Sequence, residues 1–154
     1  MAIDTIIKEV KNFHKEELII IKLGDFYHCY GKDAYLISYL FGYKLAKTKE
    51  GYYMCGFPLK CIAKVENKLQ NKKINYMILD RKNNYDVDVF ENYKKLNNYM
   101  DLYEKAKKHI NTQIAIDKIY KDLIKNMNNT EINKKIYQIQ KILEGNIWKK
   151  KNLK

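Results

Sequence analysis

Breaker residues divide this chain unevenly. Five of its six glycines and its single proline fall at or before residue 58, and from Glu91 onward there is no proline and no glycine until Gly145. Closely spaced turn residues break a chain into short elements, whereas a long stretch without them favours helix. In that second stretch apolar residues recur at helical intervals: Leu96, Met100 and Tyr103; then Ile116, Ile119, Leu123 and Met127; then Ile132, Ile136, Ile139 and Leu143. Asn128-Asn129-Thr130 interrupts the pattern, with Thr130 placed as an N-cap. Two or three amphipathic helices are expected, each with a lysine-rich face opposite its apolar stripe.

The first ninety residues alternate strand and helix signals. Ile6, Ile7, Val10 and Phe13 have helical spacing within Asp4–His14. Glu17–Leu23 is a dense β-branched run that ends in the turn signal Gly24-Asp25, and Phe26–Tyr30 reads as a second strand closed by Gly31. Asp33–Phe41 is helical, with Gly42 as its stop. Tyr43–Thr48 and Tyr52–Cys55 form a strand pair around Lys49-Glu50-Gly51. Pro58 is placed to open a helix carrying Ile62, Val65 and Leu69, which Asn71-Lys72-Lys73 ends. Ile74–Leu79 is a strand, and Tyr85–Phe90 alternates as an exposed or edge strand does. The expected fold is α+β: a mixed β-sheet of about six strands flanked by helices over residues 1–90, followed by a C-terminal helical, lysine-rich extension over 91–154. The junction near Phe90 is a change of pattern rather than a flexible linker.

Composition sets limits on function. The chain of 154 residues is 46% hydrophobic and 31% charged, enough apolar material for a core. The longest apolar runs, such as Leu18–Ile21, are too short to cross a bilayer, and no charged segment leads into an apolar one at the start. Neither membrane attachment nor a secretion signal is expected. Cys29, Cys55 and Cys61 are odd in number and form no CxxC pair, which argues against a disulfide scaffold or zinc ribbon and places the chain in a reducing cytoplasm. His14, His28 and His109 lack ligand-like spacing, so no metal is assigned.

The net charge is +12, and Arg81 is the only arginine. Residues 1–90 carry 15 Lys+Arg against 11 Asp+Glu; residues 91–154 carry 15 against 7. This surplus points to a polyanionic partner, nucleic acid above all. Its lysine bias, which also fits an A/T-rich coding sequence, suits phosphate contact and disfavours arginine readout of guanine. A lysine-rich helix face is equally what ordinary solvation produces. There is no nucleophile elbow, phosphate loop or dinucleotide fingerprint, so no cofactor and no catalytic residue is assigned. Asp86 and Asp88 share a strand face, but nothing completes the carboxylate set of a two-metal nuclease. His28 and Cys29, adjacent on a strand, point to opposite faces and cannot act as a pair.

Four segments in order carry a family resemblance: Gly24-Asp25-Phe26-Tyr27-His28 after the apolar strand; Tyr43-Lys44-Leu45-Ala46-Lys47-Thr48; Met54-Cys55-Gly56-Phe57-Pro58; and Ile62-Ala63-Lys64-Val65-Glu66-Asn67-Lys68-Leu69. Together they resemble the N-terminal mismatch-recognition domain of the MutS DNA-repair family. That domain has a Gly-Asp-Phe-Tyr-Glu turn, a Met-Ala-Gly-(Ile/Val)-Pro segment and an Ala-Val-Glu-Asn-Tyr-Leu helix. Each piece is weak alone; the ordered set, over roughly residues 16–80, is moderately specific.

The resemblance implies that Phe26 wedges into a duplex and stacks on a mispaired base, with Tyr27 packing behind it and His28 at the base edge. Taken alone, a strand phenylalanine is normally buried. His28 departs from the family's glutamate, and removing that carboxylate eases general nucleic-acid contact while weakening discrimination against perfect duplex. Lys107, Lys108, Lys134, Lys135, Lys149, Lys150 and Lys151 are the candidate phosphate contacts. MutS proteins continue through connector, lever, clamp and ATPase domains. With no Walker motif in its residues, this chain is expected to be a stand-alone MutS-like domain, similar to accessory proteins encoded beside reverse transcriptases in diversity-generating retroelements. The expected function is non-enzymatic binding of DNA, RNA or an RNA–DNA hybrid. The alternative is a protein-interaction module whose helices dock on a reverse transcriptase or on a second copy to form a homo-oligomer.

Overall fold

A computed structural model describes residues 3–145 and the backbone of the last helix as far as Lys151; the side chain of Asp4 and those beyond Gly145 are left out. The chain forms two compact units, Met1–Ile110 and Asn111–Lys154.

The first unit is built on a mixed sheet in the order β3-β4-β2-β1-β5-β6. Its strands are β1 (Leu18–Leu23), β2 (Phe26–Tyr30), β3 (Leu45–Lys47), β4 (Tyr53–Pro58), β5 (Tyr76–Asp80) and β6 (Asp86–Glu91). The helices of this unit are α1 (Ile3–Phe13), α2 (Gly31–Phe41), α3 (Ile62–Asn71) and the first part of α4 (Tyr99–Lys125). Only β1 and β5 pair in parallel; every other neighbouring pair is antiparallel. The expected α+β class and six-stranded sheet are what the chain forms.

Burial follows from this order. The four consecutive residues Leu18–Ile21 are all buried because β1 is covered on both faces. On one face Leu18, Ile20, Tyr76 and Ile78 pack with Tyr27, Cys29, Cys55 and Phe57 beneath α2, α3 and the start of α4. On the other, Ile19, Ile21, Met77 and Leu79 pack against Ile3, Ile7 and Val10 of α1. Moving outward to β2 and β4, burial becomes alternating, so one face of that half of the sheet lacks a helical cover.

Several local expectations shift. Phe13 is 86% exposed, because α1 ends there and its apolar stripe is complete at Val10. Pro58 does not open a helix; it ends β4 opposite Phe26, where a missing N–H is tolerated, and a 3-10 turn over Leu59–Cys61 leads into α3. The compact unit runs past the pattern change at Phe90 to Ile110. In α4 the buried residues are Tyr99, Ala106 and Ile110, whereas the expected stripe members Leu96 and Met100 are exposed. Leu96 precedes α4 altogether, in a 3-10 turn over Lys94–Leu96.

Asp33, at the start of α2, is buried and accepts three hydrogen bonds: from Ile19 N at 3.0 Å, Lys11 Nζ at 2.8 Å and Tyr99 Oη at 2.6 Å. It thereby joins β1, α1 and α4 to α2. Burial pushes the Asp33 carboxyl upward, opposed by the Lys11 ammonium and by all three donors.

The second unit holds the rest of α4 and α5 (Thr130–Lys151). Asn129, rather than Thr130, caps α5: its Oδ1 accepts from Glu131 N at 2.9 Å and Ile132 N at 3.4 Å. Ile116, Ile119, Ile124, Ile139, Ile142 and Leu143 of this unit are each about half exposed or more.

Breaking the Asp33 junction tests this assembly. Tyr99→Phe removes a donor to a buried carboxylate and is expected to cost about 1.5–3 kcal/mol. Asp33→Ala leaves Lys11 without its buried partner and is expected to cost about 3–5 kcal/mol. Urea unfolding followed by circular dichroism reads both.

Candidate nucleic-acid interface

The turn between β1 and β2 is tight because Gly24 adopts φ +58°, a left-handed conformation that L side chains disfavour. Phe26 follows at once and pairs with Leu23 on one side and Pro58 on the other. Its ring is 47% exposed. Residue alternation then sorts β2 into two sets. Tyr27 and Cys29 point into one core cluster; Phe26, His28 and Tyr30 point to the other face, where Phe26 is exposed, His28 is half-buried and Tyr30 packs against the cluster of Ile19, Ile21, Met77 and Leu79.

Behind the exposed ring the strand is firmly held. Tyr27 stacks on Phe57 at 5.5 Å, Phe57 on Tyr43 at 5.5 Å, and Tyr43 on Phe41 at 5.6 Å. These rings link β2, β4 and the end of α2. Tyr27 is thus a buried support beneath Phe26, and burial pushes its phenol upward.

On the open face the aromatic groups form a row. Phe26 and His28 meet edge to face with centroids 6.4 Å apart, and His28 and Tyr30 stack with a 21° interplanar angle at 6.3 Å. The His28 ring lies over Gly56 of β4, where even a Cβ would sit 3.6 Å from its Cε1. Its Nδ1 is 3.3 Å from Met54 Sδ. This partial burial lowers the His28 pKa, because it disfavours the imidazolium. The neutral ring is therefore the form at neutral pH.

Of the lysines singled out from sequence, Lys107 and Lys108 are exposed on α4 within the first unit. That part of α4 packs on the Tyr27 face, so these two lysines belong to the layer across the sheet from Phe26. Lys134 and Lys135 are exposed on α5 in the second unit, and Lys134 pairs with Glu131 at 3.1 Å. The side chains of Lys149, Lys150 and Lys151 lie outside the described part of the structure. Tyr30, Met54 and Gly56 joined the site only through the sheet order. The available sequence signal was the alternation Phe26-x-His28-x-Tyr30.

The other candidates are less developed. Asp86 and Asp88 are exposed on the edge strand β6, and among the described residues no group of His, Cys, Asp and Glu is arranged to hold a metal ion. Cys29 and Cys55 face each other across β2 and β4, free and buried, with burial pushing the Cys55 thiol up to about 12. Buried protonated thiols of this kind are unreactive. No helix among the described residues is long and apolar enough to cross a membrane.

Comparison with known proteins gives one family match. The family model for MutS domain I matches residues 4–115, which takes in the whole sheet and the start of α4. No curated protein matches the chain.

The lowered His28 pKa has a consequence for stability. The unfolded chain binds the proton first as pH falls below 6.5, so this group's contribution is complete above that value and declines toward the lower folded value. His28→Gln is expected to flatten that part of the stability profile. Urea midpoints at about pH 7.5 and 5, for both proteins, give the comparison.

Proposed function

The chain belongs to the MutS domain I family, and from that premise we propose that it binds nucleic acid without catalysis, at positions where a duplex is mispaired or distorted. The observation that carries this reading is the exposure of Phe26 at the tip of a rigid hairpin. A large ring held out of the core beside a fixed aromatic support is what insertion between bases requires. Stacking of one ring on one base is worth about 1–3 kcal/mol and tolerates any sequence.

His28 meets the base edge in this proposal. With Nδ1 against the Met54 sulfur, that contact falls to Nε2. A neutral ring does not repel phosphates as the family's glutamate does, so binding to perfect duplex is less penalised. Lys107, Lys108, Lys134, Lys135 and Lys149–Lys151 add long-range attraction to phosphates, Lys107 and Lys108 from across the sheet, which makes affinity salt-dependent. The ligand is DNA in the first instance, with RNA–DNA hybrid and RNA as arms of the same titration.

A second reading concerns the second unit. Its exposed Ile116, Ile119, Ile124, Ile139, Ile142 and Leu143 favour a protein partner, either a second copy or a reverse transcriptase of the kind suggested by the retroelement resemblance. Light scattering tests the first option. A dimer that Ile119→Asp and Ile139→Asp dissociate supports self-association, and a monomer with unchanged mass in both variants removes it.

Titrating perfect, mismatched, bulged and hybrid duplexes by fluorescence anisotropy tests the main proposal. Phe26→Ala is expected to weaken mismatched and bulged duplexes by about 5- to 150-fold and perfect duplex little. Equal affinity of wild type and Phe26→Ala for all four removes Phe26 from the mechanism. His28→Glu is expected to lower perfect-duplex affinity more than mismatch affinity and so to raise discrimination.

A further inference from the structure

A cleft of about 320 Å³ opens beside the Tyr30 end of the aromatic row, lined by Ile7, Lys8, Lys11 and Lys15 of α1 and its following turn, by Tyr30, Gly31 and Lys32 at the junction of β2 and α2, and by Tyr52. None of these residues is acidic. Lys11 is already engaged with Asp33, Glu17 O and Tyr99 Oη, so it sets the floor of the cleft. Lys8 and Lys15 are exposed at its rim. Lys32, also exposed, places its ammonium 5.2 Å from the Tyr103 ring centroid.

The cleft and the row share Tyr30, so they form one continuous surface. It runs from Phe26 at the hairpin tip, over His28, to Tyr30 and then among the lysines. A duplex wedge uses Phe26 and the edge of His28 and leaves Tyr30 and the cleft without a role. Rings at successive alternate positions of a strand, with cations at one end and no carboxylate among the cleft's lining residues, complement a chain of flat bases joined by phosphates. The cleft lining is mostly apolar, so the flat faces of bases find cover there, while Lys8 and Lys15 supply charge of the sign phosphates require.

We propose that the open face of β2 and the adjoining cleft form a binding track for an unpaired nucleic-acid strand, with bases stacked on Phe26, His28 and Tyr30 and the following phosphates held by Lys8 and Lys15. The track deepens the reading of Phe26 as a base contact and rests on it. A strand leaving a mispaired or frayed site at Phe26 continues along β2 into the cleft. The ligand class is therefore a junction between duplex and single strand, or a single strand alone.

Anisotropy with labelled oligothymidylate, oligouridylate and a mismatched blunt duplex tests the track on the full chain. Tyr30→Ala and the surface double variant Lys8→Glu/Lys15→Glu are each expected to weaken the single strands at least about fivefold, and to leave the blunt mismatched duplex within about twofold of wild type. Lys134→Glu/Lys135→Glu makes the same charge change elsewhere and is expected to affect single strand and duplex alike. The oligouridylate arm distinguishes RNA from DNA as the source of the strand. No single-strand binding by wild type overturns the track, as does single-strand affinity unchanged in Lys8→Glu/Lys15→Glu or lowered no more than the duplex affinity. Phe26→Ala without effect on the mismatched duplex overturns the wedge instead, so the two failures are distinct.

Discussion

A single buried carboxylate fixes where β2 ends. Asp33 collects donors from α1, β1 and α4, elements far apart in the chain, and its place in the first turn of α2 puts it just after β2. Between them lies Gly31, at φ +55°, which lets the chain leave the strand and enter the helix without a linker. Holding Asp33 therefore holds Tyr30, and through the strand it holds His28 and Phe26. The energetics suit a positional role. Burial of a carboxylate is costly, and the Lys11 ammonium with two neutral donors offsets much of that cost without making the group a large source of stability. What it provides is a junction in which α1, β1 and α4 all meet the start of α2.

The open face has a topological cause. Strands β1 and β5 lie between a helix layer on each side, whereas β2, β4 and β3 form the side of the sheet beyond α1. The same alternation that buries Tyr27 and Cys29 leaves Phe26, His28 and Tyr30 facing outward. Exposing Phe26 forfeits part of its hydrophobic burial, which is worth about 1.5–3 kcal/mol when complete. The ladder to β4 and the stack Tyr27–Phe57–Tyr43–Phe41 keep the strand from turning to recover it.

Much of this was legible in the residues. The β-branched run before Gly24-Asp25, the helix stopped by Gly42 and the alternating edge strand all appear as read, because each depends on local signals. The expectations that moved depend on partners distant in sequence. Phe13 has helical spacing but no neighbour to pack on once α1 ends. Pro58 looks like a helix start until β2 is known to extend to Phe26 and to pair with it. The face that α4 buries is chosen by Tyr99 reaching Asp33, which displaces the stripe from Met100. At the site, the family motif pointed to Phe26, Tyr27 and His28. Tyr30, Met54 and Gly56 needed the adjacency of β4 to β2, which no local pattern encodes.

Charge and shape are divided between the two units. Residues 1–110 carry 20 Lys+Arg against 14 Asp+Glu, and residues 111–154 carry 10 against 4, so the surplus is equal although the second unit is far smaller. Positive charge is therefore densest in the second unit, whose described residues are helices and the turn between them. Lysine–phosphate contacts raise affinity for any nucleic acid and discriminate little. In the proposed reading, selection comes from the first unit, where stacking on fixed rings would reward bases that are free to leave their partners. The His28 position bears on the same balance. A carboxylate there would oppose the lysine attraction wherever a regular backbone approaches, and the neutral imidazole gives up that opposition. On the proposed reading, this arrangement would favour engagement of distorted or unpaired strands over strict rejection of intact duplex.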